Sequence, residues 1–317
     1  MKRLARFQLL VVFVLAFSAI LPANLLGQEK SNKPVISASD DEGIQLGVSM
    51  VSLSVTVVDQ SGNFVVGLNQ NNFEVYEDKI KQDLVGFALD DAPLSVGIIF
   101  DLSGSMENKI RGSHDALKSF TRVCRDDDNI FLLGFNRKVS LLRDYTSDDG
   151  AILSSVLGAK AHGTTALYDA VYMGLEKAKQ GRNARKVLLV ISDGEDNSSR
   201  YTLREIKRLA QESDVVVYSI GIMDSGNMTP LDMEGADALN QLAEITGGKA
   251  FFPGTLDDLE AVTTYIALEL RSQYNISFIP SNLARDGKWR SLKVRVHGPK
   301  SSALNVRARN GYFAIRS

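Results

Sequence analysis

At 317 residues, with 44% hydrophobic and 23% charged side chains, the chain has an ordinary globular composition, which excludes a largely disordered protein and leaves room for roughly one to three domains. Its formal net charge of −2 offers no electrostatic footprint for nucleic acid. Cys124 is the single cysteine, which excludes an intrachain disulfide, and its place on the apolar side of a helical pattern with Ile110, Leu117 and Phe120 reads as a buried free thiol.

The chain begins with Lys2, Arg3 and Arg6, followed by an uncharged apolar run over residues 7–21 and the small residues Ala23 and Gly27. This is the pattern of an export signal and predicts a signal peptide over 1–27. A retained anchor is the competing reading, and no cysteine follows the run to carry a lipid. Residues 28–43 are polar and read as a flexible leader. A β segment is expected over 44–92. It comprises a half-buried strand at 48–58, a turn at Asp59-Gln60-Ser61-Gly62-Asn63, a restarted strand at 64–66, and a hairpin joining 73–76 to 80–89.

After Pro93 the pattern changes to strands alternating with helices. Strands are predicted at 94–100, 129–135, 139–142, 187–192, 215–220 and 250–252. Helices are predicted at 108–124, 148–157, along the face Leu167, Ala170, Val171, Gly174, Leu175 and Ala178, behind the capping box Thr202/Glu205, and at 236–245 and 256–270. Such alternation predicts a parallel, doubly wound α/β sheet over 93–271. Residues 272–317 return to strand-like runs at 274–279, 291–297 and 304–308. The two β segments flank the α/β unit, and the economical packing joins them in one small β-sandwich with the α/β domain inserted between.

Three loops of the α/β unit carry hard oxygen ligands. Asp101-Leu102-Ser103-Gly104-Ser105 follows the first apolar strand, Gly163-Thr164-Thr165 precedes a helix, and Ser192-Asp193-Gly194-Glu195-Asp196 follows another strand. Carboxylate and hydroxyl oxygens at alternate positions of a tight turn can converge on a cation such as Mg²⁺, and ligands of open α/β sheets bind at strand C-termini. Capping offers another use for each loop: Ser103 and Ser105 as helix caps, Thr165 as an N-cap, Asp193-Gly194 as a plain turn. Taken together, in this order, they exceed what capping explains.

DLSGS, the later Gly-Thr-Thr and SDGED resemble the metal-ion-dependent adhesion site (MIDAS) of von Willebrand factor A domains, over about residues 93–271. The stretches GTTALYDA and ARDGKWRSLKVRV resemble exported bacterial proteins that carry such a domain between β segments. The resemblance implies a doubly wound sheet with one antiparallel edge strand. It also implies a Mg²⁺ or Mn²⁺ site made by Asp101, Ser103, Ser105, Thr165 and Asp193. An ion held by three hydroxyls and two carboxylates seeks another anionic oxygen, such as an Asp or Glu of a partner protein. The leading expectation is therefore a non-enzymatic, exported binding module of the periplasm or cell surface. The alternatives are a Mg²⁺-assisted hydrolase with Asp101 as nucleophile and an envelope scaffold with a vestigial site. His114, His162 and His297 lie in separate segments, and His162 reads as loop surface.

Overall fold

The structure is a computed structural model and describes residues 50–89, 92–223, 229–297 and 304–316. The expected signal peptide and leader lie outside the described residues. Among the described residues, no helix is long and apolar enough to cross a membrane.

The first strands are β1 (Val51–Val58), β2 (Phe73–Glu77), β3 (Ile80–Gln82) and β4 (Leu84–Leu89). The strand expected at 64–66 does not form, and Phe64 makes only an isolated bridge to Val58. The Asp59 carboxylate accepts the N–H groups of Ser61 and Asn63 at 2.9 Å each, so this turn satisfies its amides locally. Between β2 and β3, Asp78 and Lys79 both adopt positive φ, 48° and 72°, which matches the twist of a two-residue hairpin. The run expected as one strand over 80–89 breaks at Asp83. β3 pairs with β2, whereas β4 pairs with the strand Tyr274–Phe278 of another sheet.

The α/β segment follows as β5 (Leu94–Asp101), α1 (Ile110–Thr121), β6 (Asn129–Phe135), β7 (Val139–Thr146), α2 (Asp149–Leu157), α3 (Leu167–Ala178), β8 (Arg185–Ser192), α4 (Leu203–Glu212), β9 (Val215–Gly221), α5 (Pro230–Thr246), β10 (Ala250–Phe251) and α6 (Leu256–Arg271). Its sheet has the order β10-β9-β8-β5-β6-β7, parallel except for the edge strand β7. Every residue of β5 and β6 is buried, which is why both read as continuous apolar runs. Val96, Ile98 and Phe100 pack with Leu117 and Ile266 of α1 and α6, while Ile99 packs with Val171 and Leu239 of α3 and α5. The expected doubly wound sheet is therefore present, with helices on both faces. The chain leaves β5 through β6 and β7 on one side and returns to β8 on the other, so the C-terminal end of β5 is the switch point where such sheets bind ligands. α5 begins ahead of its expected start, because Thr229 and Asp232 form a capping box with Pro230 in the first turn.

The last strands are β11 (Tyr274–Phe278), β12 (Trp289–Val296), β13 (Asn305–Arg307) and β14 (Gly311–Phe313). They complete two four-stranded sheets, β13-β1-β11-β4 and β14-β12-β2-β3. Leu53 and Val55 of β1, Val75 of β2, Ile276 and Phe278 of β11 and Leu292 of β12 share one apolar core. N- and C-terminal segments thus meet in a β-sandwich, as the sequence predicts.

A buried carboxylate ties this sandwich to the α/β layer. Oε1 of Glu269, near the end of α6, accepts hydrogen bonds from Thr56 Oγ1 of β1 (3.0 Å), Tyr218 OH of β9 (2.7 Å) and Arg307 Nη2 of β13 (2.5 Å). Gln273 Nε2 donates to Thr56 Oγ1 (3.1 Å) and Tyr218 OH (3.2 Å), and Gln273 Oε1 accepts from Arg185 Nη2 (2.9 Å). In a low-dielectric interior such a network is strong while complete and costly once a member is lost. Glu269→Ala is expected to lower stability by about 3–5 kcal/mol in urea denaturation, because Arg307 loses its counter-charge. Glu269→Gln also removes the counter-charge and buries an amide NH2 where Oε2 has no partner, but it keeps the side-chain volume and the acceptor at the Oε1 position for Thr56, Tyr218 and Arg307, so the loss should be smaller than for Ala. Equal losses would show that the negative charge opposite Arg307, and neither the side-chain volume nor the neutral acceptor, joins the layers.

Candidate metal centre

Asp101 closes β5 with no exposed surface, and Ser103 and Ser105 follow in a tight 3-10 turn over Gly104–Met106. The Ser103 N–H donates to Asp101 Oδ1 (2.8 Å), and the Ser103 and Ser105 hydroxyls lie 3.0 Å apart. From the end of β8, Ser192 Oγ donates to Asp101 Oδ2 (2.5 Å), and the Gly194 N–H donates to Ser192 Oγ (3.0 Å). Thr165 belongs to a loop laced to the first by two backbone bonds, Gly104 N to Gly163 O (3.0 Å) and His162 N to Leu102 O (2.9 Å). Ser103 makes no side-chain cap bond to its turn, and α3 starts after Ala166 rather than after Thr165. The capping alternative for these two hydroxyls therefore does not hold. Ser105 is exposed, whereas Ser103, Thr165 and Asp193 are buried. His162 is exposed, with its ring directed at Lys160 O (3.0 Å) and Asn136 (3.5 Å).

The site carries excess negative charge. Burial, and then the neighbouring Asp193, push the Asp101 carboxyl up to about 6, against the bonds from Ser192 and Ser103. Glu195 is also raised, first by burial and then by Asp193 and Asp232. Asp193 Oδ1 is buried without a hydrogen-bond partner. Among the described residues no three His, Cys, Asp or Glu side chains form a metal-holding group. The oxygens gathered here are two carboxylates, of Asp101 and Asp193, and the neutral hydroxyls of Ser103, Ser105 and Thr165. That donor set is all hard oxygen and fits Mg²⁺ or Mn²⁺, and a cation beside Asp193 would satisfy its orphan oxygen.

The loop after β8 has a second task that the sequence reading does not assign. Ala166 supplies no side-chain cap to α3. Instead Asn197 Oδ1 accepts the Thr165 N–H (2.9 Å), Asp196 Oδ1 the Tyr168 N–H (3.3 Å), and Ser199 Oγ the Asp169 N–H (3.1 Å). Thr165 O accepts the N–H groups of Asn197 (3.0 Å) and Ser198 (3.1 Å), and the Asp169 carboxylate accepts those of Arg200 (2.9 Å) and Tyr201 (3.3 Å). The loop caps α3 and α3 caps the loop, which fixes Thr165 relative to Asp193. The signal was the run Asp196-Asn197-Ser198-Ser199, rich in capping residues but ahead of a helix already capped by Thr202. Gly194, at φ +85°, gives α5 room to approach: a Cβ there would lie 2.7 Å from the Gly235 backbone.

The family model for the von Willebrand factor type A domain matches residues 95–265, more than half of the chain. An uncharacterized protein of Synechocystis sp. is 22% identical over 158 residues, 48% of this chain and 38% of that protein. An uncharacterized protein of Borreliella burgdorferi is 26% identical over 144 residues, 42% of each. The chain thus spans less than half the length of either relative. Proximal thread matrix protein 1 from the mussel byssus, solved with a zinc-occupied MIDAS motif, aligns at 18% identity over 60% of this chain and 48% of that one, with a TM-score of 0.47. The matched residues run from β5 into α6 and include all three loops of the candidate centre, and the chain belongs to the von Willebrand factor type A domain family.

Proposed function

We propose that the protein is an exported, non-enzymatic binding module that captures an Asp or Glu of a partner protein through a Mg²⁺ or Mn²⁺ ion. Asp101, Ser103, Ser105, Thr165 and Asp193 would hold the ion. The observation that carries this reading is Asp193 Oδ1, buried and without a partner beside the second buried carboxylate of Asp101. When bound, the ion supplies the missing counter-charge and a coordination position open to a further anionic oxygen. The chain's own residues position the ligands. Ser192 and the Ser103 N–H hold the two oxygens of Asp101, Asn197 fixes the Thr165 backbone, and Ser105, which is exposed, would face an arriving partner carboxylate. The basic residues Lys2, Arg3 and Arg6 ahead of an apolar run support a periplasmic or cell-surface location. A nucleophilic Asp101 has less support, because the side chain has no exposed surface from which to reach a substrate directly.

The test of function is retention of a partner from envelope extract by the immobilised protein. Retention is expected with Mg²⁺ and release with chelator, and Asp101→Ala should retain nothing in either condition. A partner held equally well in chelator would count against the metal-bridged mode.

Metal binding itself is read by thermal unfolding. Mg²⁺ should raise the Tm of the wild type by mass action and leave Asp101→Ala unmoved. Ser103→Ala should keep part of the shift, since water replaces a hydroxyl more readily than a charge. Asn197→Ala should also keep only part, through loosened positioning of Thr165. An undiminished shift in Asp101→Ala would remove Asp101 from the site.

A pH dependence follows in the absence of metal. The Asp101 carboxyl is raised to about 6 from an ordinary 3.8, so the folded protein binds its proton more tightly than the unfolded chain does. The destabilisation is absent below about pH 4, grows as pH rises, and is complete above about pH 6, at an order of 2–3 kcal/mol. In chelator, Asp101→Asn should therefore be more stable than wild type at pH 7.5, and the gap should close at pH 4. A wild type that is the more stable at pH 7.5 would refute the charge conflict.

A further inference from the structure

The chain is mildly acidic overall, yet residues 273–317 contain nine Lys and Arg and a single acidic residue, Asp286. Strand β12 sorts part of this charge to one side. Leu292 and Val296 face the sandwich core, so Ser291, Lys293 and Arg295 point outward, and all three are exposed. The register sets Lys293 beside Tyr76 and Tyr76 beside Lys81, with Arg295 beside Glu74. The Arg295 guanidinium lies over the Tyr76 ring, 4.9 Å from its centroid. The acids beside these cations are engaged: Glu74 accepts from Lys81 Nζ (2.7 Å) and Tyr76 OH (2.9 Å) and lies 2.9 Å from His297 Nε2, and exposed Asp78 accepts the N–H and hydroxyl of Ser291 (2.9 Å each). Among the described residues no carboxylate pairs with Lys293 or Arg295. At the other end of the face, Trp289 and Phe313 form a cross-strand edge-to-face pair with centroids 5.0 Å apart, and Ile315, 57% exposed, follows two residues later.

A flat sheet face that combines unpaired cations with an apolar aromatic end matches the layered chemistry of a lipid headgroup region, where phosphates attract Lys and Arg and Trp settles at the interface. It matches single-stranded nucleic acid less well. Base stacking needs free ring faces, and here Arg295 covers Tyr76 while Trp289 is engaged with Phe313. We propose that the outward face of the β14-β12-β2-β3 sheet docks on an anionic phospholipid bilayer, with Lys293 and Arg295 at the phosphates and Trp289, Phe313 and Ile315 at the interface.

Trp289 is the only tryptophan of the chain, so its emission reports on this face alone, whatever the apolar run at residues 7–21 does. The full chain is titrated with vesicles of phosphatidylglycerol mixed with phosphatidylcholine, and with phosphatidylcholine alone. On the anionic vesicles the emission should shift to the blue and be quenched by brominated lipid, with no response on the neutral ones. Lys293→Glu/Arg295→Glu should weaken this response about thirtyfold or more. The neutral pair Lys293→Gln/Arg295→Gln repeats the test should the charge reversal disturb folding. Four results would overturn the proposal: vesicle binding with unchanged Trp289 emission, an equal response on neutral vesicles, variants that respond like wild type, or a response to heparin without one to anionic vesicles.

Discussion

Parallel pairing with β6 on one side and β8 on the other holds β5 in the middle of the sheet, and its last residue, Asp101, is thereby carried into the interior. A carboxylate in that position is poorly solvated, and Asp193 at the end of the neighbouring strand adds a second negative charge. Much of the surrounding architecture answers this constraint. Ser192 and the Ser103 N–H each hold one oxygen of Asp101, and two backbone bonds lace the Ser103 loop to the Thr165 loop. The other polar side chains brought there, Ser103, Ser105 and Thr165, are neutral hydroxyls and add no third charge.

Glu269 shows how the same fold treats a buried carboxylate that is structural. It meets Arg307, Tyr218 and Thr56 at one oxygen, and its charge is neutralised within the chain. Among the described residues Asp101 and Asp193 form no ion pair, and the nearby Lys109 ammonium donates to the Ile222 carbonyl. Burial is common to both places. The counter-charge is not, and that difference separates a carboxylate that joins two layers from a pair whose charge no side chain neutralises among the described residues.

The sheet was legible because its central strands are buried on both faces: Leu94–Asp101, Asn129–Phe135 and Arg185–Ser192 are apolar runs too short for helices, and α3 carried its whole apolar face in the pattern. The five residues proposed to hold a cation stood out for another reason, since Asp101 ends one of these strands and the other four lie in short loops next to a strand or to α3. Tertiary context hid the rest. Nothing in the alternation of 80–89 says that the strand changes sheets at Asp83, because either sheet of the sandwich accepts the same pattern. Phe64 reads as a strand residue, but Asp59 satisfies the neighbouring amides locally. The reciprocal capping of α3 was concealed because its two halves are about thirty residues apart, and capping is usually sought next to the helix it serves.

That reciprocal capping bears on how the protein can vary. Surface connections ordinarily absorb insertions and deletions with little effect, and the polar, partly exposed stretch 196–201 resembles such a connection. Here Asn197 is bonded to Thr165, Asp196 to Tyr168, and Ser199 and Arg200 to Asp169, at and just before the start of α3. Lengthening or shortening the loop by one residue would misalign all four bonds together and carry Thr165 away from Asp193. The turn at 59–63 is held mostly by bonds within itself, with a single longer bond from outside, Tyr265 OH to Gly62 O (3.5 Å), and so is less restricted. A change of length at this turn therefore disturbs little beyond the turn itself, whereas one between β8 and α4 disturbs the candidate centre.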